Sequence, residues 1–255
     1  MSIIKTLHNF LKLSLPGIHA RRLQALIAAI EAGLSGASLS ITGLGRSLSG
    51  PAFIKHKIKR MDRLAENSHL GRERIALYGA MAQWLLKSLP MPVIIFDWSP
   101  LTDDQTQQLL RASLPVGGRT ITLYEEVHPR KKLGNPLVQK RFLARLQQIL
   151  PQHIIPIAVA DAGFRTPFFR EVERLGWHWL GRIRNRDFIA FDDDNWLPAK
   201  SLYVKATRKP KLLGAANWVR SNPLKGELVA YYRMPKGRKH LTLQKQPVKS
   251  SSQSV

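Results

Sequence analysis

Two short apolar runs each lead into an aspartate: Val93-Ile94-Ile95-Phe96 into Asp97, and Ile157-Ala158-Val159-Ala160 into Asp161. A carboxylate at the inner end of a buried strand is costly to keep ionised unless a positive charge meets it. Mg²⁺ takes hard oxygen ligands of this kind, with Mn²⁺ as the alternative ion. Neighbouring strand ends would supply the rigid closeness of two-metal phosphoryl transfer, in which carboxylates hold cations ~3.5–4 Å apart. The competing reading is local: Asp97 opens a turn, and Asp161 with Gly163 forms an Asx turn. Periodicity alone leaves both open.

The surrounding charge favours a polyanionic partner. Lys and Arg number 40 against 17 Asp and Glu, a formal net charge of +23, which is the balance of a nucleic-acid-binding chain. Lys55, Lys59 and Arg63 recur every four residues and line one face of a helix, with Lys57 and Arg60 alongside. Behind a Ser49-Gly50 breaker, this matches a helix-turn-helix that lays a basic helix on DNA. A solvated cationic face is the alternative, and no base-reading side chain is identifiable.

Other features carry less. Asp192-Asp193-Asp194 reads as a solvated turn, because three adjacent acids point in different directions. Trp196 and Trp218 could stack on bases but fit core packing better. The eight histidines show no metal-ligand spacing. No Gly-rich phosphate loop and no nucleophile elbow is present, which leaves nucleotide hydrolysis and serine-esterase chemistry without support.

The elements that must position these groups change character along the chain. Residues 1–90 have helical periodicity. Leu23, Leu26, Ile27, Ile30 and Leu34 predict a first strong helix, closed by Gly36. Ile41–Leu48 predicts a second, and a third starts at Pro51 with Ile54, Ile58 and Met61 on its buried face. A fourth, 73–89, buries Leu77, Met81, Trp84, Leu85 and Ser88. From Pro92 the pattern becomes strand 93–97, a loop or short helix through Leu109, strand 119–125, a helix from Asn135-Pro136 carrying Val138, Phe142, Leu146 and Ile149, strand 157–161, a helix from Thr166-Pro167 to Gly176, and strand 177–183. That alternation predicts a mixed α/β sheet. Short strands follow at 187–198, 201–204, 211–219 and 227–233. The Lys-, Gln- and Ser-rich stretch from 235 reads as a disordered basic tail.

With no cysteine, disulfides and thiolate metal sites are excluded,. The apolar stretch 23–34 is shorter than the ~20 residues a bilayer-spanning helix needs, and no secretory signal is visible. The expected location is the bacterial cytoplasm, associated with the nucleoid and with no membrane partner.

Phe96-Asp97-Trp98-Ser99, Gly118-Arg119-Thr120-Ile121-Thr122-Leu123-Tyr124-Glu125, Asp161-Ala162-Gly163-Phe164 and Leu175-Gly176-Trp177 together resemble the cut-and-paste insertion-sequence transposases of the DDE type. Lys57 to Leu64 and Lys236-Gly237-Arg238-Lys239 also fit, so the likeness runs from about residue 10 to 240. The resemblance implies an RNase H-like α/β fold. It divides the chain into a helical DNA-binding domain at 1–90, the first part of the catalytic core at 91–184, a strand-rich insertion at 185–234 and the tail at 235–255. It further implies an Asp-Asp-Glu triad holding Mg²⁺, with Asp97 and Asp161 as the first two carboxylates. The implied partners are double-stranded DNA in the form of terminal inverted repeats and target DNA, bound by a homo-oligomer.

One part of the family pattern is missing. The family's glutamate lies on a later helix, in a Tyr-x₂-Arg-x₃-Glu-x₆-Lys signature. The last acid here is Glu227, in a predicted strand, and Tyr232-Arg233 has the wrong spacing. The expectation is therefore a truncated transposase. Two alternatives stand beside it: a non-catalytic DNA-binding inhibitor of transposon ends, and an RNase H-like nuclease completed by Glu125 or Glu227.

Overall fold

A computed structural model describes residues 3–192 and 195–232, and the backbone of 253–254. Two compact units are present: Met1–Leu89 with Arg145–Gln152, and Pro90–Ala144 with His153–Val255.

The first unit is helical. It contains α1 (Ile3–Ser14), α2 (Ala20–Leu34), α3 (Ile41–Ser47), α4 (Ile54–Ala65) and α5 (Ser68–Leu86). Leu11, Leu23 and Ile27 form one core cluster, with Leu7, Phe10 and Leu77 packed against it. Ala32, Leu48 and Met61 form a second, which joins α2 to the α3–α4 pair. Gly36, at φ +90°, follows α2 in the left-handed region where a side chain would be strained,. The Ser40 hydroxyl accepts from the Gly43 N–H to start α3, and the Asn67 side chain accepts from the His69 and Leu70 N–H groups to start α5,. Gly45 lets α3 and α4 approach closely, since a Cβ there would stand 2.5 Å from Ile58 Cα.

In the second unit a five-stranded mixed sheet has the order β3-β2-β1-β4-β5. Its strands are β1 (Val93–Pro100), β2 (Gln107–Val116), β3 (Arg119–Pro129), β4 (Ile157–Ala160) and β5 (His178–Gly181). β1 pairs antiparallel with β2 and parallel with β4. The parallel connections run through α6 (Pro136–Ile149) and α7 (Thr166–Arg174), as parallel pairs require. Alternation along β1 turns Ile94 and Phe96 inward, where both are fully buried. Phe96 meets Phe168 and Phe142 edge-on with ring centres 5.2 and 6.3 Å apart, and Tyr124 from β3 lies 4.9 Å from Phe142. Each such ring contributes about 1.5–3 kcal/mol by leaving water.

A second sheet is antiparallel, in the order β10-β9-β8-β6-β7. It comprises β6 (Phe188–Ala190), β7 (Trp196–Pro198), β8 (Lys211–Trp218), β9 (Leu224–Tyr232) and the two-residue β10 (Gln253–Ser254). Residues 233–252 and 255, which include the Lys236–Lys239 motif and most of the predicted tail, lie outside the described residues, as do Asp193 and Asp194.

Several sequence expectations need correction. The third helix starts at Ile54, three residues after Pro51, and Ile54 is 57% exposed, because the chain stays irregular through Phe53. α5 begins at Ser68 and buries Ala82 and Leu86, whereas Met81 and the 68%-exposed Trp84 face outward and Ser88 lies beyond the helix end. The small Ala82 carries almost no hydrophobic weight in a sequence pattern. The stretch before Leu109 leads into a full strand, β2. Six of its first eight residues are buried, so the two-residue alternation that marks a half-exposed strand is absent,. Residues 199–205 form a 3₁₀ helix where a strand was expected at 201–204.

Candidate functional site

In the parallel pairing of β1 with β4, Phe96 sits opposite Ala160. Asp97 and Asp161 each follow that pair by one residue, so two adjacent parallel strands deliver both carboxylates at the same level of the sheet. Strand alternation turns Asp97 away from the aromatic core that holds Phe96,. Partial burial pushes the Asp97 carboxyl above the usual carboxylate range, and the nearby Asp161 charge pushes it further. The Trp98 backbone N–H and the Arg111 guanidinium act in the opposite direction. Arg111 stands directly across the ladder on β2.

Asp161 is fixed by its own loop. Its Oδ1 accepts the Gly163 N–H at 2.8 Å, so the Asx turn of the local reading does exist. A Cβ at Gly163 would come 2.8 Å from that same oxygen, which restricts the position to glycine while the turn holds. The Arg184 guanidinium braces the loop by donating to the carbonyls of Ala162 and Gly163. One Asp161 oxygen is thereby committed and the other remains for a ligand. Turn and ligand roles are compatible.

Among the described residues, no group of three His, Cys, Asp or Glu side chains is placed to hold a metal. Glu125 sits on β3, two strands from Asp97, and is engaged by Arg111 Nε at 2.8 Å. Glu227 belongs to β9 of the other sheet and lines a hollow of about 380 Å³ together with Trp177, Trp179 and Trp218.

The donor set nevertheless fits one hard cation. Mg²⁺ commonly binds through one or two carboxylates and completes its octahedron with water or substrate phosphate oxygens. Like charges that raise the Asp97 carboxyl are the arrangement a divalent ion between them would relieve. Arg111 supplies part of that compensation already.

In the first unit, Lys55, Lys59, Arg60 and Arg63 of α4 are exposed, and Lys59 pairs with Asp62 at 2.6 Å. Lys57 is half-buried and lies about 200° around the helix from Lys55 at 3.6 residues per turn. It lies about 60° from Arg60, at the edge of the cationic face.

Arg111 was invisible in the sequence because its strand was. A buried polar trio also escaped notice. Tyr124 donates to Glu126 at 2.5 Å, and His128 Nε2 lies 2.9 Å from the other Glu126 oxygen. Its only sequence signal is a polar residue at every second position of β3. Trp218 is buried against Phe169, with ring centres 5.7 Å apart, as core packing required, and Trp196 is half-buried. Asp192 accepts the Asn195 N–H at 3.1 Å. Comparison of the chain with protein-family models and with curated proteins finds no match.

Proposed function

We propose that this chain acts on DNA as a transposase of the insertion-sequence DDE type, with Asp97 and Asp161 as two carboxylates of a Mg²⁺ centre. The observation that carries the proposal is the register of Phe96 opposite Ala160, which puts Asp97 on β1 level with Asp161 just past the end of β4. The mixed pairing of β1 supports the RNase H-like reading of the sheet. Exposed cations on α4 support a DNA-binding role for the helical unit.

A bound Mg²⁺ would supply Lewis-acid stabilisation of charge on a phosphodiester. The chain's own residues prepare for that chemistry. Asp97 is held on a rigid strand across the ladder from Arg111, and Asp161 is oriented by the Gly163 N–H. Carboxylates that share a metal act as a unit, so Asp97→Asn or Asp161→Asn should each lower strand cleavage by several orders of magnitude while DNA binding persists. Residues that act as a unit lose most of their effect together.

Purified chain should therefore shift an inverted-repeat duplex at moderate salt, and either aspartate substitution should keep that shift while abolishing cutting of an end-labelled substrate in Mg²⁺. Cutting that survives either substitution would refute the role of the two aspartates. Equal affinity for inverted-repeat and random duplex would remove the recognition of transposon ends.

A further inference from the structure

A cluster of cations outside the aspartate site lies in the helical unit. Arg21, Arg60 and Arg63 line one hollow of about 380 Å³, together with Arg22, His19 and Asn67. α2 and α4 bring these residues together from positions about 40 apart in sequence. Arg22 is already spent, since it donates to both carboxylate oxygens of Glu73, with Nε at 2.7 Å. Arg21, Arg60 and Arg63 are exposed, and no carboxylate lines the hollow. Cations collected in a concavity repel one another, and a one-signed cleft focuses its field on an anion.

We infer that this hollow is a phosphate site, occupied by a backbone phosphodiester of duplex DNA. Guanidinium forks match phosphate oxygens bidentately, which lysine cannot do. No Phe, Tyr or Trp lines the hollow to stack a base, so the chemistry it offers is for phosphate and not for nucleoside. Lys55 and Lys59 extend the same charge along α4, as a continuous backbone would require. The inference rests on the DNA-binding reading for the identity of the polymer, but it assigns new residues, Arg21 above all, to the contact.

The test is duplex binding by the full chain across a salt series. Arg21→Gln and Arg63→Gln would be compared with Lys12→Gln and Lys87→Gln, which remove the same charge from exposed positions of the same unit. Each arginine substitution should weaken binding about tenfold and reduce the magnitude of the salt slope by about one. The lysine controls should change affinity less than about twofold, as expected of unspecific field effects. Arginine variants that merely track the lysine controls would overturn the site while leaving DNA binding intact. If the wild-type chain binds no duplex, the DNA reading falls and inorganic phosphate becomes the probe. Amide shifts at residues 21–23 that vanish in Arg63→Gln would then retain the phosphate hollow, and their absence would overturn it too.

Discussion

At the residue scale, Asp97 carries a testable electrostatic signature. Its folded-state carboxyl lies above the ordinary range, so the folded chain holds that proton more tightly than the unfolded one,. The resulting stability is present at low pH and is lost as pH rises through the carboxylate range. Asp97→Asn should accordingly raise the melting temperature at pH 7, and the gain should vanish below pH ~4. Melts across pH measure this directly; a substitution that destabilises at pH 7 would mean that Arg111 outweighs burial and Asp161 together. Gly163 gives a second handle. Gly163→Ala forces a methyl against Asp161 Oδ1 and should cut divalent-ion affinity ~10–100-fold, the usual effect of disturbing a group that orients a ligand,. Titration followed by Mn²⁺ resonance would read it.

At the element scale, close approaches between helices set what α4 can present. Gly45→Ala would press a Cβ against the Ile58 backbone at 2.5 Å. Overpacking of this kind costs about 1–3 kcal/mol, so a lower melting temperature and weaker duplex binding should appear together as α4 is displaced. Phe96→Ala, at the centre of the aromatic core, should cost about 3–5 kcal/mol,. Much of this architecture was legible in the residues. β4 and α6 carry clean patterns, and Val138, Phe142, Leu146 and Ile149 are all buried as their spacing requires. β2 was illegible because burial on both sides erases alternation, and Arg111 was lost with it. The outward turn of Trp84 defeated a rule that sends large apolar groups inward: it lies beside Phe10, ring centres 6.0 Å apart, without being covered. The aspartates could be found because each terminates an apolar run. The guanidinium hollow could not, since its members come from two helices distant in sequence.

At the scale of the whole molecule, the proposed function gives net charge the control of affinity and the two aspartates the control of chemistry. With a formal charge of +23, duplex binding should weaken steeply with salt. If the four exposed cations of α4 each neutralise a phosphate, log K against log salt should slope at about −3 to −4. A flat salt dependence would exclude a backbone-phosphate interface. No helix among the described residues is long and apolar enough to cross a membrane.

The most direct test of the account is whether Asp97 and Asp161 hold one divalent ion between them. Mn²⁺ binding to the full chain, followed by electron paramagnetic resonance, should show a site that weakens at least ~10-fold in both Asp97→Asn and Asp161→Asn, as loss of a primary ligand demands. Mn²⁺ affinity unchanged by either substitution would contradict it.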